Sequence, residues 1–328
     1  MPESDRLLGV RPPAGRALRR ETRRAVVIDA SPYVFRAWFS LPGTIVGRAG
    51  QPLNAVYGFA EFLRRLLLEA RPRHAAVAFD GSFGTGLRNG WYPAYKANRE
   101  PAPQELRTQF RHCRRVARAF GLATFASRRY EADDLIAGLV RRLRRARLAV
   151  AIVTPDKDLA QLIGRDDLLW DYARDRRLGV EAIGKRYGVP PGAIADLLAL
   201  TGDPVDNIPG VPGIGLATAV RLLRRFGDLD TVYRRIGEIG GAEFRGAQAL
   251  AGRLHRYRTQ AILSQRLARL YPPPLRCTPR DLEWKGVRPR SLERLLRELG
   301  LGGTLARRCA PLESPRRRPD RRHSGSGD

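Results

Sequence analysis

Apolar runs and amphipathic stretches alternate through the first two thirds of the chain. RAVVID (24–29), AAVAFD (75–80) and LAVAIVTPDKD (148–158) are short, near-continuous apolar runs, and each one runs into acids. Runs of this kind predict strands buried on both faces. Between the first two, Val56, Phe59, Ala60, Leu63, Leu66 and Leu67 fall at the spacing of one buried helix face. A helix is predicted over 104–120. EADDLIAGLVRRLRR begins another, with the stripe Ile136, Leu139, Val140 and Leu143, acids in its first turn and Arg in its last, as the helix dipole prefers. This alternation predicts the α/β class, a parallel sheet flanked by helices. Residues 197–227 then read as a helix, a Gly/Pro-rich turn and a second helix ending at Gly227. The 244–308 region is mostly helical, interrupted by YPPP (271–274) and closed by a helix over 290–299.

In open parallel sheets, ligands bind beyond the carboxyl ends of the strands. Three predicted strands deliver Asp29, Asp80 and Asp156/Asp158 to that edge, and a helix start adds Glu131, Asp133 and Asp134. Charge sharpens the picture, because the chain carries 60 Lys and Arg against 33 Asp and Glu, a net charge of +27. Such an excess of base points to a polyanionic partner, and to nucleic acid before a ribosomal or membrane surface. Acids grouped in so basic a chain repel the phosphates that the rest attracts, unless a divalent cation lies between them.

Taken singly, each acidic group has a simpler reading. Asp156-Lys157-Asp158 is an ordinary acidic turn, Glu131-Ala132-Asp133-Asp134 a helix cap, and Asp203-Pro204-Val205-Asp206-Asn207 a turn. Together, with no His or Cys among them, they suggest two hard-cation sites of the Mg²⁺ type, able to activate water and neutralise a leaving oxygen.

The remaining features narrow the class. Cys113, Cys277 and Cys309 are odd in number and lack metal-ligand spacing, and His74, His112, His255 and His323 are scattered. No apolar run reaches membrane-spanning length and the N-terminus has no signal-type apolar segment, so a reducing cytoplasm is expected. Residues 1–23 and 311–328 read as basic or polar disordered tails. The turn GVPGIG (210–215) has the form of a helix–hairpin–helix phosphate binder, with Gly213 and Gly215 permitting close backbone approach and the next helix offering free N–H groups. Residues 82–103 interleave Arg88, Trp91, Tyr92, Tyr95, Lys96 and Arg99. Rings among cations suit single-stranded nucleic acid, and a surface loop whose rings simply pack down fits them equally.

The segments VVIDASPYVFRAWFSLP, NAVYGFAEFL, AFDGS, YPAYKANR, YEADDLIAGL, TPDKDLAQL and TGDPVDNIPGVPGIG resemble the bacterial 5′-nucleases, the family of the N-terminal domain of DNA polymerase I and its stand-alone flap endonuclease relatives. The resemblance runs over about residues 24–308, including AILSQRLARL, and no polymerase segment follows. It implies a PIN-like α/β catalytic domain over 24–188, a helical arch, and a helix–three-turn–helix DNA-binding domain over 189–310. It implies a Mg²⁺- or Mn²⁺-dependent 5′→3′ exonuclease and flap endonuclease with two metal ions. Asp29, Asp80, Glu131, Asp133 and Asp134 are expected at the tighter site, and Asp156, Asp158, Asp203 and Asp206 toward the second. Lys96 and Arg99 match the catalytic arch cations. Arg88, Tyr95, Lys96, Arg99, Gly213, Gly215, Thr218 and Arg221 are expected to contact DNA, and residues 210–218 to hold K⁺ through backbone oxygens. The implied substrate is DNA with a 5′ flap or a single-strand/duplex junction, extending to RNA primer–DNA hybrids. The implied protein is a monomeric, nucleoid-associated bacterial enzyme of replication and repair. Two departures stand out: Asp29 is followed by Ala30 where Gly is usual, and Ala217 replaces the Lys that relatives carry before Thr218. That loss predicts a weaker duplex anchor, covered in part by Arg221 or Arg224. A non-catalytic junction binder and a PIN-type ribonuclease are the alternatives, the first opposed by the full set of acids and the second by the 197–227 module.

Overall fold

Strand β1 (Ala25–Asp29) runs through the centre of the molecule because both of its parities are apolar: Ala25 and Val27 enter one core, Val26 and Ile28 the other. The computed structural model describes residues 24–81, 86–241, 246–309 and 312. The tails expected to be disordered lie outside these, apart from Leu312, which is buried and receives the amide hydrogen of Val287.

Helices α1 (Ser31–Ser40) and α2 (Asn54–Ala70) follow β1, and the chain returns as β2 (Ala75–Asp80). After the short α3 (Leu87–Trp91) come α4 (Gln104–Ala119), β3 (Ala123–Ser127), α5 (Ala132–Arg145) and β4 (Val150–Val153). Then β5 (Leu168–Asp171) pairs with β6 (Arg176–Leu178), and α6 (Val180–Tyr187) leads into the helical half. The sheet order is β3-β2-β1-β4-β5-β6, parallel throughout except for the antiparallel β5–β6 pair. Strands succeed one another outward in both directions from the β1–β4 pair, the topological switch point at which such sheets bind ligands. The expected parallel sheet is present. β3, β5 and β6 were absent from the sequence reading, being short and, for β3 and β6, only half-buried, so they lack a continuous apolar run.

The helical half holds α7 (Ile194–Thr201), α8 (Leu216–Phe226), α9 (Leu229–Arg234), α10 (Ile236–Gly240), α11 (Ala247–Arg256) and α12 (Arg258–Ala268). Their apolar faces continue the core that covers α5. Two last helices, α13 (Pro289–Leu299) and α14 (Gly302–Cys309), behave differently. Leu292, Leu295, Leu296, Leu299 and Leu305 join the opposite core, with α2 and α4. Trp284, 2% exposed, donates its indole N–H to Phe120 O (2.8 Å), and its amide bonds Arg73 O. From Trp284 onward the chain therefore packs with α2 and α4, in the core opposite the one that the 189–268 helices continue. Among the described residues no helix is long and apolar enough to cross a membrane.

Trp284→Ala is expected to lower unfolding free energy by about 3–5 kcal/mol, read by urea denaturation. A loss confined to the melting of the 189–268 helices would contradict the shared core.

Candidate active site

Strand parity aims the acids. On β1 the positions 25 and 27 face α5, so Asp29 does too; on β2 the positions 76 and 78 face α5, and Asp80 continues that series. Asp80 takes the N–H of Ala132 (2.9 Å) and the Ser31 hydroxyl (2.7 Å), so the β2 acid fixes the first turn of α5 against the strand ends. Just past β4, buried Thr154 donates its hydroxyl to Asp29 Oδ2 (2.9 Å) and accepts the N–H of Asp156 (3.0 Å). Ser31 and Thr154 were missed by sequence reasoning. Their only signal is position, each within two residues of a predicted metal acid.

Asp29, Asp133, Asp158 and Asp206 are displaced from the usual carboxylate range, in two directions. Asp29 and Asp133 are recessed, and burial holds both carboxyls well above the usual range; next in weight come Asp80 and Asp156 for Asp29, and Asp156 and Asp29 for Asp133. Asp158 is pushed up to about 7 by burial and by Asp156, and its Oδ1 has no hydrogen-bond partner, with Lys157 Nζ 3.7 Å away. The remaining cations of the cleft pair elsewhere. Lys96 Nζ lies 2.9 Å from Glu131 Oε1 and 3.5 Å from Asp206 Oδ2, Arg99 bonds Asp206, and Lys157 bonds Asp203 (2.5 Å). Burial opposes the charge on Asp206, yet Lys96 and Arg99 hold its carboxyl below the usual range. Burial likewise would lower Lys96, and Glu131, Tyr95 and Asp206 outweigh it, so its ammonium titrates well above the ordinary range.

The 86–103 stretch lies down on the acids rather than standing clear of them. Lys96 N bonds Asp206 O (3.0 Å), Asn98 bonds Pro204 O (2.8 Å) and Asn207 bonds Ala94 O (2.7 Å). Lys96 and Asn207 both adopt left-handed backbone, φ +56° and +55°, at this contact. Local strain of this kind persists where surrounding bonds impose it. Among the described residues no three acids stand ready-made as a metal cluster.

Three sequence expectations change here. Arg88, expected on DNA, is 2% exposed: it grips Asp134 through both oxygens (2.8 and 2.9 Å), reaches Glu131 Oε2 (3.3 Å), and donates to Leu267 O and Arg269 O (both 2.8 Å). Asp134, expected on metal, is fully buried and also accepts the amides of Glu131 (3.3 Å) and Tyr271 (2.8 Å), so both of its oxygens are engaged within the protein. Tyr95, expected to meet DNA, is 3% exposed and its hydroxyl lies on Glu131 (3.2 Å) and Asp206 (3.3 Å). The rings of this stretch pack down, Trp91 edge-on to Tyr271 and beneath Arg266.

The α7–α8 hairpin follows its glycines. Gly210, at φ +61°, could not carry a Cβ, which would fall 2.2 Å from Gly202 N, and Gly213 sits at φ +76° under the Arg253 guanidinium. Gly215 caps α8 in open space, leaving Leu216, Ala217 and the half-buried Thr218 in its first turn, with Arg221 exposed one turn on. The Gly210 and Gly213 carbonyls accept Gln260 (2.8 Å) and Arg253 (3.0 Å). Each of these oxygens keeps a second lone pair.

Arg88→Met is expected to cost about 3–5 kcal/mol by stranding buried Asp134, and the double variant with Asp134→Asn to recover part of that loss. Additive losses in the denaturation cycle would contradict the pairing.

Comparison with known proteins places this geometry. Residues 24–188 match the family described as 5′-3′ exonuclease, N-terminal resolvase-like domain, and residues 189–290 its C-terminal SAM fold. DNA polymerase I of Bacillus caldotenax is 36% identical over 299 residues, 89% of this chain and 33% of that protein. DNA polymerase I of Rhizobium leguminosarum is 43% identical over 220 residues, 65% of this chain and 22% of that one. The chain thus spans about a fifth to a third of the length of these polymerases. A 5′-3′ exonuclease of Aquifex aeolicus is 36% identical over 208 residues, 63% of this chain and 71% of its own length. T5 5′-exonuclease with bound zinc shares the fold at a TM-score of 0.60 and 22% identity, covering 76% of this chain and 90% of that one. The Rad2 catalytic core in complex with DNA does so at 0.59 and 16%, covering 88% and 92%. The chain belongs to the 5′-3′ exonuclease family.

Proposed function

We propose that the protein is a divalent-metal-dependent 5′→3′ exonuclease and flap endonuclease acting on DNA at junctions of duplex and 5′ single strand. One observation carries the reading: the recessed Asp29, Asp133 and Asp158 are held at raised affinity for protons by burial and by neighbouring acids, Asp156 among them in each case. A divalent cation is the partner such carboxylates lack. Asp29, Asp80, Asp133 and Asp156 would hold one ion, and Asp158, Asp203 and Asp206 would face the second. Glu131 stands between them, tied to Asp206 through Lys96 and Tyr95. This redraws the expected five-and-four division, moving Asp156 toward the first group and leaving Asp134 as support. The ions, Mg²⁺ or Mn²⁺, would supply an activated water and charge neutralisation at the leaving oxygen.

The chain's own groups do the rest. Lys96 and Arg99, already at the carboxylates, are within reach of a phosphate drawn into the cleft, and the first turn of α8 offers N–H groups to the duplex backbone. The net charge of +27 draws the polyanion in. Such an enzyme would act as a monomer in the bacterial cytoplasm at the nucleoid, on DNA flaps and RNA primer–DNA hybrids.

A 5′-labelled flap is expected to be cut in Mg²⁺, to leave a 5′-phosphate on the product, and to survive in EDTA; a matched RNA hairpin should resist. An uncut flap in Mg²⁺ would sink the reading. Asp29→Asn should abolish cutting while stabilising the metal-free protein by about 0.5–2 kcal/mol. The sign follows from the raised carboxyl: the folded state binds the proton more tightly than the unfolded chain. The penalty is therefore present at pH above the folded titration and fades as pH falls through it, so the advantage of Asn should shrink at acid pH. Thermal melts at two pH values check this.

Ala217→Lys, at an exposed first-turn position of α8, is expected to tighten duplex binding several-fold and steepen the salt slope by about 1. Unchanged affinity and slope would show that the missing Lys is not limiting.

A further inference from the structure

A cavity of about 570 Å³ meets the acid cleft at Asp156 and Lys157 and takes no lining residue from the 86–103 stretch; Leu169, Arg174, Arg176 and Tyr187 are also among its lining. Its construction is traceable to the strand pair that the sequence reading missed. Asp171, closing β5, is buried; its Oδ1 caps the following turn through Arg174 N (3.3 Å), and its Oδ2 takes Arg174 Nη1 (3.1 Å) and Arg176 Nη2 (3.2 Å). Asp175, at φ +46°, turns the chain into β6. Alternation along β6 then puts Arg176 and Leu178 on the cavity wall and Arg177 on the other face, over Trp170 (4.4 Å) and bonded to Glu69 (2.6 Å). The end of α6 completes the wall with Arg186, whose Nε lies 3.3 Å from the Tyr187 hydroxyl.

Four cations thus face two acids around a floor of Leu169 and Leu178 with one aromatic ring at the rim. One acid, Asp171, is already engaged by Arg174 and Arg176; the other, Asp156, belongs to the metal-site carboxylates. What remains is positive charge beside an apolar floor and a ring, which is complementary to a nucleotide: a phosphate for the guanidinium groups and a base for the ring.

We propose that this cavity is a subsite for one nucleotide of the DNA substrate flanking the scissile phosphate. Its phosphate meets Arg174, Arg176 and Arg186, and its base lies against Tyr187. The subsite rests on the nuclease reading above. It would hold the strand at the Asp156–Lys157 end of the cleft, through cations other than Lys96 and Arg99.

The test is binding of flap DNA in EDTA, where nothing is cut, by fluorescence anisotropy. Arg174 and Arg186 are exposed, so Arg174→Glu/Arg186→Glu keeps the Asp171 turn through Arg176 and the backbone. It should raise Kd tenfold or more and lower the salt slope by about 1–2. The equal charge change Arg290→Glu/Arg294→Glu on α13, outside the cavity, should shift Kd no more than about threefold. An abasic residue is then walked along the strand. One position should weaken wild-type binding and lose its effect in Tyr187→Leu, which keeps an apolar side chain without a stacking face. Equal losses for the two double reversals, or no position coupled to Tyr187, would overturn the subsite. Wild-type protein that neither binds nor cuts the flap would overturn the nuclease reading itself.

Discussion

Carboxylates held close together in a recess repel one another, and the rest of the site is arranged around that repulsion. Asp29 ends a strand with both faces buried, Asp133 stands on the first turn of α5, and Asp156 follows β4; Asp156 raises the proton affinity of the other two, and Asp29 that of Asp133. A fold tolerates this only where packing elsewhere outweighs it. Here β1 is buried between two cores, and the acids occupy the one edge where the sheet must stop. Thr154 and Ser31 supply hydroxyls that soften the repulsion without neutralising it.

Long-range and local electrostatics therefore have opposite signs in this protein. The basic excess acts over the surface and governs encounter with a polyanion, weakening as salt rises. The acids act at contact distance and govern what happens after encounter. The loop over 86–103 lies between the two, its backbone bonded to the 203–207 turn and its cations on the acids. The positive-φ residues Lys96 and Asn207 mark where those two segments meet.

Much of this was legible in the sequence for a physical reason. Doubly buried strands and one-sided helices leave patterns of period one and 3.6 that survive without tertiary information. The acids were legible because each sits at the end of such an element. What escaped was whatever depends on a partner distant in sequence. The Lys and the Arg of YPAYKANR read as substrate contacts, yet Arg88, just upstream, reaches Asp134 and the carbonyls of residues 267 and 269. Nothing local separates Arg88 from Arg99. The packing of α13 into the core of α2 and α4 was hidden similarly, since an amphipathic helix shows that it has a buried face without showing what covers it. The β5–β6 pair was too short and too rich in Arg to resemble a strand.

The three cations of the 86–103 stretch show how one loop can serve both structure and chemistry. Exposure of their side chains rises from 2% at Arg88 to 20% at Lys96 and 49% at Arg99. Breaking a buried pair leaves a stranded charge and costs about 3–5 kcal/mol, whereas an exposed pair is worth about 0–1 kcal/mol. Arg88 is therefore fixed to Asp134, and anchors the loop to α5 and to the C-terminal end of α12. Arg99, and with more difficulty Lys96, can exchange a carboxylate for a phosphate at little cost. Under the nuclease reading, once divalent ions engaged the acids, Lys96 and Arg99 would be released to meet an incoming phosphate, and the Arg88 anchor would keep them within reach.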